Sequence, residues 1–216
     1  MLQYKCFIFN PFYENTYVIW NEDSKEAAII DPGCYDVKEE NTLKEFISDK
    51  HLDIKYVLNT HCHIDHIVGN NFCREQFDAE IFIPEKDEYL IEIMKGYAKN
   101  LGISFELEKT NLKYLLDNSE ITIGNEILKC FYTPGHSPGE FCFYSENSNI
   151  CFTGDVLFKD SIGRTDLWDG NLKQLINSIK KRLLVLPEKT VILPGHGDPS
   201  SIRQEKINNP YLDFYE

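Results

Sequence analysis

His61-Cys62-His63-Ile64-Asp65-His66 packs three imidazoles and one carboxylate into six consecutive residues. The stretch follows an apolar segment, residues 54–59, that reads as a buried strand, and precedes residues 68–77, whose spacing reads as a helix. Four such groups in one short turn compete for space unless something positive holds them together. Imidazole and carboxylate together suit zinc, iron or manganese, whereas a structural zinc site favours thiolates. Cys62 stands among them, but alternation in an extended segment turns its side chain away from those of His61 and His63, so it is expected to pack and not to ligate.

Working outward, two more histidines recur in matching contexts, Pro134-Gly135-His136 and Pro194-Gly195-His196, each just after an apolar strand. Thr153-Gly154-Asp155 adds a carboxylate in the same kind of place. Five of the six histidines thus fall at strand ends, and only His51, beside Lys50 at a helix end, reads as an ordinary surface residue. A polar surface turn would explain the first cluster but not its echoes. In this company Asp155 reads as a carboxylate bridging two metals. Seven candidate ligands also exceed the four of a closed structural zinc site, which argues against a non-enzymatic zinc-binding module.

Around these loops, residues 4–9, 15–21 and 27–31 read as strands, the first two joined by a turn-rich hairpin connection. Residues 36–50 and 85–101 carry helical apolar stripes, residues 79–84 return as a strand, and residues 102–118 show no clear period. Strands follow at 121–123, 127–133, 140–145 and 149–155, then a helix over 171–186 and a last strand at 190–193. Hairpins in both halves fit a purely parallel sheet poorly. The expected α/β architecture is two mixed β-sheets packed face to face with helices outside. No repeat, low-complexity tract or linker divides the chain, so residues 1–216 are expected to form one domain.

Composition narrows the partners. Apolar residues make up 42% and charged residues 26% of the chain, as in ordinary globular proteins, and 13% aromatics argue against disorder. A formal net charge of −13 repels phosphate backbones and anionic membrane surfaces, so neither nucleic acid nor membrane is expected as a partner. Seven cysteines without a Cys-x-x-Cys pair read as small buried hydrophobes in a reducing compartment. The N-terminus reads as a strand and a turn, not a signal peptide, and no stretch is long and apolar enough to span a membrane; a cytoplasmic location is expected.

The His-x-His-x-Asp-His cluster, with the later Gly-His, Gly-Asp and Gly-His elements in this order, resembles the metallo-β-lactamase-fold superfamily, over a span that begins with Ile29-Ile30-Asp31-Pro32-Gly33. The resemblance implies a four-layer αβ/βα sandwich with its site along one edge of the sheets. It implies that His61, His63 and His136 hold a first metal, that Asp65, His66 and His196 hold a second, and that Asp155 bridges them. Class B β-lactamases usually carry a cysteine where Asp155 stands, which points away from antibiotic hydrolysis. The diiron flavoprotein branch usually has Glu in place of the second cluster histidine, and the RNA-processing nucleases carry an inserted domain; this chain matches neither.

A narrower similarity follows the aspartate. Gly154-Asp155-Val156-Leu157-Phe158-Lys159-Asp160-Ser161-Ile162-Gly163-Arg164-Thr165-Asp166 is similar to the glyoxalase II group (hydroxyacylglutathione hydrolases), as are Gly195-His196-Gly197-Asp198-Pro199 and Asn209-Pro210. Longer members add a helical domain carrying glutathione-binding residues, absent from these 216 residues, so the resemblance implies thioester chemistry and leaves the thiol open. Two divalent ions, zinc or else iron or manganese, would supply hydroxide at neutral pH for attack on a small acyl thioester, with Asp65 orienting or relaying a proton of the shared water. Arg164 is the nearest candidate anchor for a substrate carboxylate, with an internal salt bridge as its competing role. Tyr13 and Phe12, in the first hairpin turn, and residues 97–115 are candidates to wall the cleft. Persulfide dioxygenases share this fold and a similar Gly-Arg-Thr-Asp stretch, and His61, His136 and Asp155 would supply the two histidines and one aspartate of their single iron. Lactone or phosphoester hydrolysis on the same metal core is a further alternative.

Overall fold

A computed structural model describes residues 1–213. In chain order the first half runs β1 (Leu2–Phe9), β2 (Glu14–Asn21), β3 (Glu26–Ile30), α1 (Val37–Asp49), β4 (Asp53–Leu58), α2 (Ile64–Ile67), α3 (Asn70–Phe77), β5 (Glu80–Ile83), α4 (Glu88–Leu101) and β6 (Lys113–Tyr114). The second runs β7 (Glu120–Ile123), β8 (Glu126–Tyr132), β9 (Phe141–Ser145), β10 (Ile150–Gly154), β11 (Leu157–Phe158), β12 (Ser161–Ile162), α5 (Leu172–Ser178), β13 (Val191–Pro194), β14 (Ser200–Ser201), α6 (Ile202–Asn208) and α7 (Pro210–Asp213).

Each half builds one mixed sheet of six strands, ordered β1-β2-β3-β4-β5-β6 and β14-β13-β10-β9-β8-β7. The first is antiparallel through β3 and parallel from β3 to β6, because each of those later strands is reached over a helix or a long crossing segment. The second is antiparallel from β7 to β10, and β13 then joins β10 in parallel after α5. The remaining pair, β11 and β12, forms a short ribbon.

Period-two alternation sorts the core into layers. From β2, Tyr17 and Ile19 face Phe143 and Phe152 of the other sheet in a central cluster, while Val18 and Trp20 face the opposite way, toward Leu43 of α1 and Met94 of α4. Likewise Cys142 and Tyr144 of β9 turn out onto Leu175 and Ile176 of α5. Both sheets are therefore covered on both faces, which is why β2, β9 and β10 are buried along their whole length. The result is the four-layer αβ/βα sandwich, with helices outside. No helix among the described residues is long and apolar enough to cross a membrane.

Most regular elements follow the sequence reading, which lacks the β11–β12 hairpin and the helices α6 and α7 and leaves residues 102–118 without a period. Residues 102–118 send Phe105 and Leu107 into the core and Lys113–Tyr114 onto the sheet edge as β6. The helix begun at Asn171, whose side chain accepts from the Gln174 amide, widens into a π-helical turn over Ile179–Leu183.

Candidate metal centre

All seven histidine and aspartate candidates come from strand ends on one edge of the sandwich. His61 and His63 follow β4, Asp65 and His66 ride on the single turn of α2, His136 follows β8, Asp155 follows β10, and His196 follows β13. The loop carrying His136 is held against α5: Gly135 has φ +146°, and a Cβ there would lie 2.3 Å from the Leu175 backbone, so only glycine fits.

Two ligand sets form. Nitrogens of His61, His63 and His136 lie within 4.8 Å of one another, as do ligand atoms of Asp65, His66 and His196. Asp155 stands between them, its Oδ2 3.5 Å from His136 Nε2 and 3.6 Å from His196 Nε2, and its Oδ1 3.6 Å from His66 Nε2. The structure thus brings together every residue of the expected set.

The outer hydrogen bonds decide which atoms face inward. Asp31 Oδ2 accepts from His66 Nδ1 at 3.0 Å and from the Thr60 hydroxyl at 2.6 Å, and Thr60 Oγ1 lies 3.0 Å from His61 Nδ1. Since the Thr60 proton goes to Asp31, His61 donates from Nδ1, and both histidines turn a bare Nε2 inward. His136 Nδ1 donates to the Arg164 carbonyl at 2.7 Å and His196 Nδ1 to the Phe12 carbonyl at 3.1 Å. Glu140, fully buried, accepts from the Asp155 amide at 2.9 Å and lies 3.6 Å from His61 Nδ1.

This arrangement fits divalent cations. His61 Nε2, His63 Nε2, His66 Nε2 and Asp155 Oδ1 are buried without a hydrogen-bond partner, and His63 Nδ1 and His136 Nε2 face each other at 2.9 Å. Buried acceptors left bare are costly unless a cation takes them up. The electrostatics of the pocket agree. Burial, then neighbouring histidines, push His61 well below the usual imidazole range. Burial opposes the charge on His66, yet Asp65, Asp155 and Asp31 outweigh it and lift the group to about 10, so in the absence of a cation a proton takes up its inward Nε2. Burial likewise opposes the charge on Asp65, but His66 and His196 hold its carboxyl below the usual range. The pocket demands positive charge. Asp31, with His61 and His66, forms a third close set, but its oxygens are already taken by Thr60 and His66, which leaves it as support.

The centre floors a cavity of about 420 Å³ walled by Phe12, Tyr97, Phe158, Ile162, Leu167 and Trp168, with Arg164 at its rim. Trp168 leans its ring on His63 at 4.9 Å and on Tyr97 at 5.5 Å, in left-handed backbone that Asp169 continues and the Tyr89 hydroxyl anchors through Asp169 at 2.7 Å. Arg164 lines the cavity and also pairs with Asp166 at 2.7 Å, both side chains exposed, so anchor and ion-pair geometries coexist. Of the two turn residues, Phe12 lines the cavity, whereas Tyr13 occupies left-handed backbone, is 74% exposed and lies outside the lining. Of residues 97–115, Tyr97 reaches the cavity, while Phe105 and Leu107 pack in the core. Cys62 is fully buried in the cluster under α4, turned away from the ligands.

Sequence reasoning gave no role to Asp31, Thr60, Asp87, Glu140 or Trp168. The one usable signal was a lone acid at the head of an apolar strand, as in Gly139-Glu140-Phe141.

Comparison with known proteins agrees with this geometry. The family model for the metallo-beta-lactamase superfamily matches residues 9–196. The hydroxyacylglutathione hydrolase GloC of Haemophilus influenzae is 37% identical over 210 residues, covering 94% of each chain. Among solved structures, the BLEG-1 B3 metallo-beta-lactamase superposes with a TM-score of 0.88 at 34% identity, over 97% of this chain and 99% of its own. TTHA1623 in a di-iron-bound form gives 0.84 at 31% identity, over 96% and 100%.

Proposed function

This chain belongs to the metallo-β-lactamase superfamily, and from that premise we propose that it is a binuclear metal-dependent hydrolase cleaving a small hydroxyacyl thioester, of the hydroxyacylglutathione hydrolase type. The observation that carries this reading is the meeting of two ligand triads across Asp155 on the floor of a largely apolar cavity. His61, His63 and His136 would hold one divalent ion and Asp65, His66 and His196 the other, with Asp155 reaching both. Zinc suits this donor set; the di-iron form of a similar structure supports iron, and manganese takes the same donors. When bound there, two such ions would lower the pKa of a coordinated water toward neutrality and supply positive charge for the oxyanion of acyl transfer.

The chain's own residues do the rest. Asp65 Oδ2, 3.2 Å from His196 Nε2, is placed to orient or relay a proton at the cavity floor. Trp168, Leu167 and Phe12 exclude water and grip the apolar part of the thioester. Arg164 offers a guanidinium at the rim to a substrate carboxylate, in exchange for its exposed pairing with Asp166. A thiol with a pKa of roughly 8.5 leaves as its thiolate, so a thioester requires no dedicated general acid.

The test is a panel run on one metal-analysed sample: a lactoyl glutathione thioester, a β-lactam and a glutathione persulfide with oxygen uptake followed. Thioester turnover abolished by chelation, with close to two ions per chain, is the expected result. The β-lactam belongs there because of the BLEG-1 likeness, which Asp155 alone does not set aside. Oxygen consumption with a single iron, or preference for the β-lactam, overturns the reading.

A further inference from the structure

Asp87 immediately precedes α4 and does not cap it. An aspartate at that position ordinarily accepts from amides in the first turn of its own helix. Here the backbone at Asp87 is already in the helical region and its side chain makes no capping bond. The fully buried carboxylate reaches instead to partners 25, 50 and 52 residues away. Oδ2 accepts from the Cys62 amide at 3.2 Å and from the Ser137 hydroxyl at 2.7 Å, and Oδ1 accepts from the Gly139 amide at 2.6 Å. All three partners are neutral donors.

Their places in the chain are what matters. Cys62 lies between His61 and His63, on the loop leaving the first sheet. Ser137 follows His136, and Gly139 precedes Glu140, on the loop leaving the second sheet. One carboxylate therefore ties together the two loops that supply the His61, His63 and His136 triad, one from each half of the sandwich. A buried carboxylate satisfied only by neutral groups is an expensive way to fasten two loops. Gly139 fits the same picture, because a Cβ there would lie 2.6 Å from Asp87 Oδ1.

We propose that Asp87 is a positioning residue for the first metal triad, setting the separation of the His61–His63 loop from the His136 loop without touching metal or substrate. The proposal rests on the metal-binding reading of that triad. Asp87→Asn keeps the shape and replaces one acceptor oxygen with an amide that can only donate, toward groups that themselves donate. Ser137→Ala removes a single donor and leaves the fold's backbone bonds intact.

The experiment is competitive titration of the metal-free protein with zinc against a chromophoric chelator, alongside cobalt(II) absorption spectra and thermal unfolding. The expected result for Asp87→Asn is an affinity loss of about 10- to 100-fold for one of two ions, as for other residues that orient ligands, with the other retained. The cobalt bands of the weakened site should shift. Ser137→Ala should weaken the same ion by less, and the double variant should lose less than the sum, since both act through one contact. A lower unfolding temperature with both affinities and the cobalt spectrum unchanged overturns the proposal, leaving Asp87 a stability residue. Should Asp87→Asn fail to fold, Ser137→Ala decides alone by the same criteria. If the parent takes up a single ion, the binuclear reading falls, while the comparison of variants on that ion still decides the role of Asp87.

Discussion

Asp31→Asn probes the centre more sharply than replacing a ligand, because it changes one atom that no metal touches. Asp31 has left-handed backbone, φ 49°, which asparagine also tolerates, so the substitution adds no strain of its own. Oδ1 accepts from the Thr60 amide at 2.7 Å and an asparagine oxygen keeps that bond. At Oδ2, however, a donor replaces an acceptor that serves the Thr60 hydroxyl at 2.6 Å and His66 Nδ1 at 3.0 Å. Hydrogen bonds to a charged acceptor contribute about 1.5–3 kcal/mol each, so losing both removes about 3–6 kcal/mol of stability from the metal-free protein. The larger effect is on tautomers. His66 would have to accept at Nδ1 and carry its proton on Nε2, which points at the second ion's place. Thr60 would release its hold on His61 as well. Loss of a ligand's orienting partner costs about 10- to 100-fold in metal affinity, and an inverted catalytic tautomer elsewhere costs on the order of 10⁴ in turnover. Chelator-competition titration and kcat on the metal-loaded variant check this. A variant whose affinities and turnover all stay within about threefold of the parent, below the tenfold floor for such residues, would show that the chain from Asp31 through Thr60 does not set the histidine tautomers.

Other outcomes follow from the same geometry. Cys62→Ser should lose about 1–3 kcal/mol for a hydroxyl buried in the apolar cluster, while metal stoichiometry stays at the parent level; a rate loss above about a hundredfold, near 2.7 kcal/mol, would place the thiol in the site. Arg164→Ala should raise KM and spare kcat, since an anchor bound equally in ground and transition states affects binding alone; its pairing with Asp166 is exposed, so the unfolding temperature should barely move. Burial lifts the Asp87 carboxyl from 3.8 to about 6, against the hydrogen bonds it accepts. Its folded form thus holds its proton longer than the unfolded chain, and the associated stability is full below pH 4 and lost as pH rises through 6. Urea titrations of the metal-free protein at both ends of that window should show the parent losing up to about 3 kcal/mol relative to Asp87→Asn; no pH-dependent difference would refute the assignment.

Much of this protein is written locally in its chain. Three histidines and an aspartate within six residues declare themselves because the turn alone brings them together, and the Gly-His and Gly-Asp echoes stand at strand ends that hydrophobic pattern marks. Alternation in β2, β9 and β10 likewise separates two apolar faces, from which two covered sheets and the order of helices follow. Only tertiary structure decided the rest. Whether a histidine presents Nε2 or Nδ1 depends on an acceptor far along the chain, 35 residues away for Asp31 and His66 and 184 for Phe12 and His196. Asp87 carries no signal in the sequence, and its role takes shape only when loops from both sheets arrive beside it. Phe12 and Tyr13 are indistinguishable in the sequence, and it is the left-handed turn at Tyr13, stitched to Pro194 and Gly197 through the Asn15 amide, that leaves one in the cavity wall and the other in solvent. Residues 102–118 have no period of their own because their pairing and burial come from β5 and α4. Local chemistry names the groups that would meet a metal; the long-range hydrogen bonds determine which atom of each faces it.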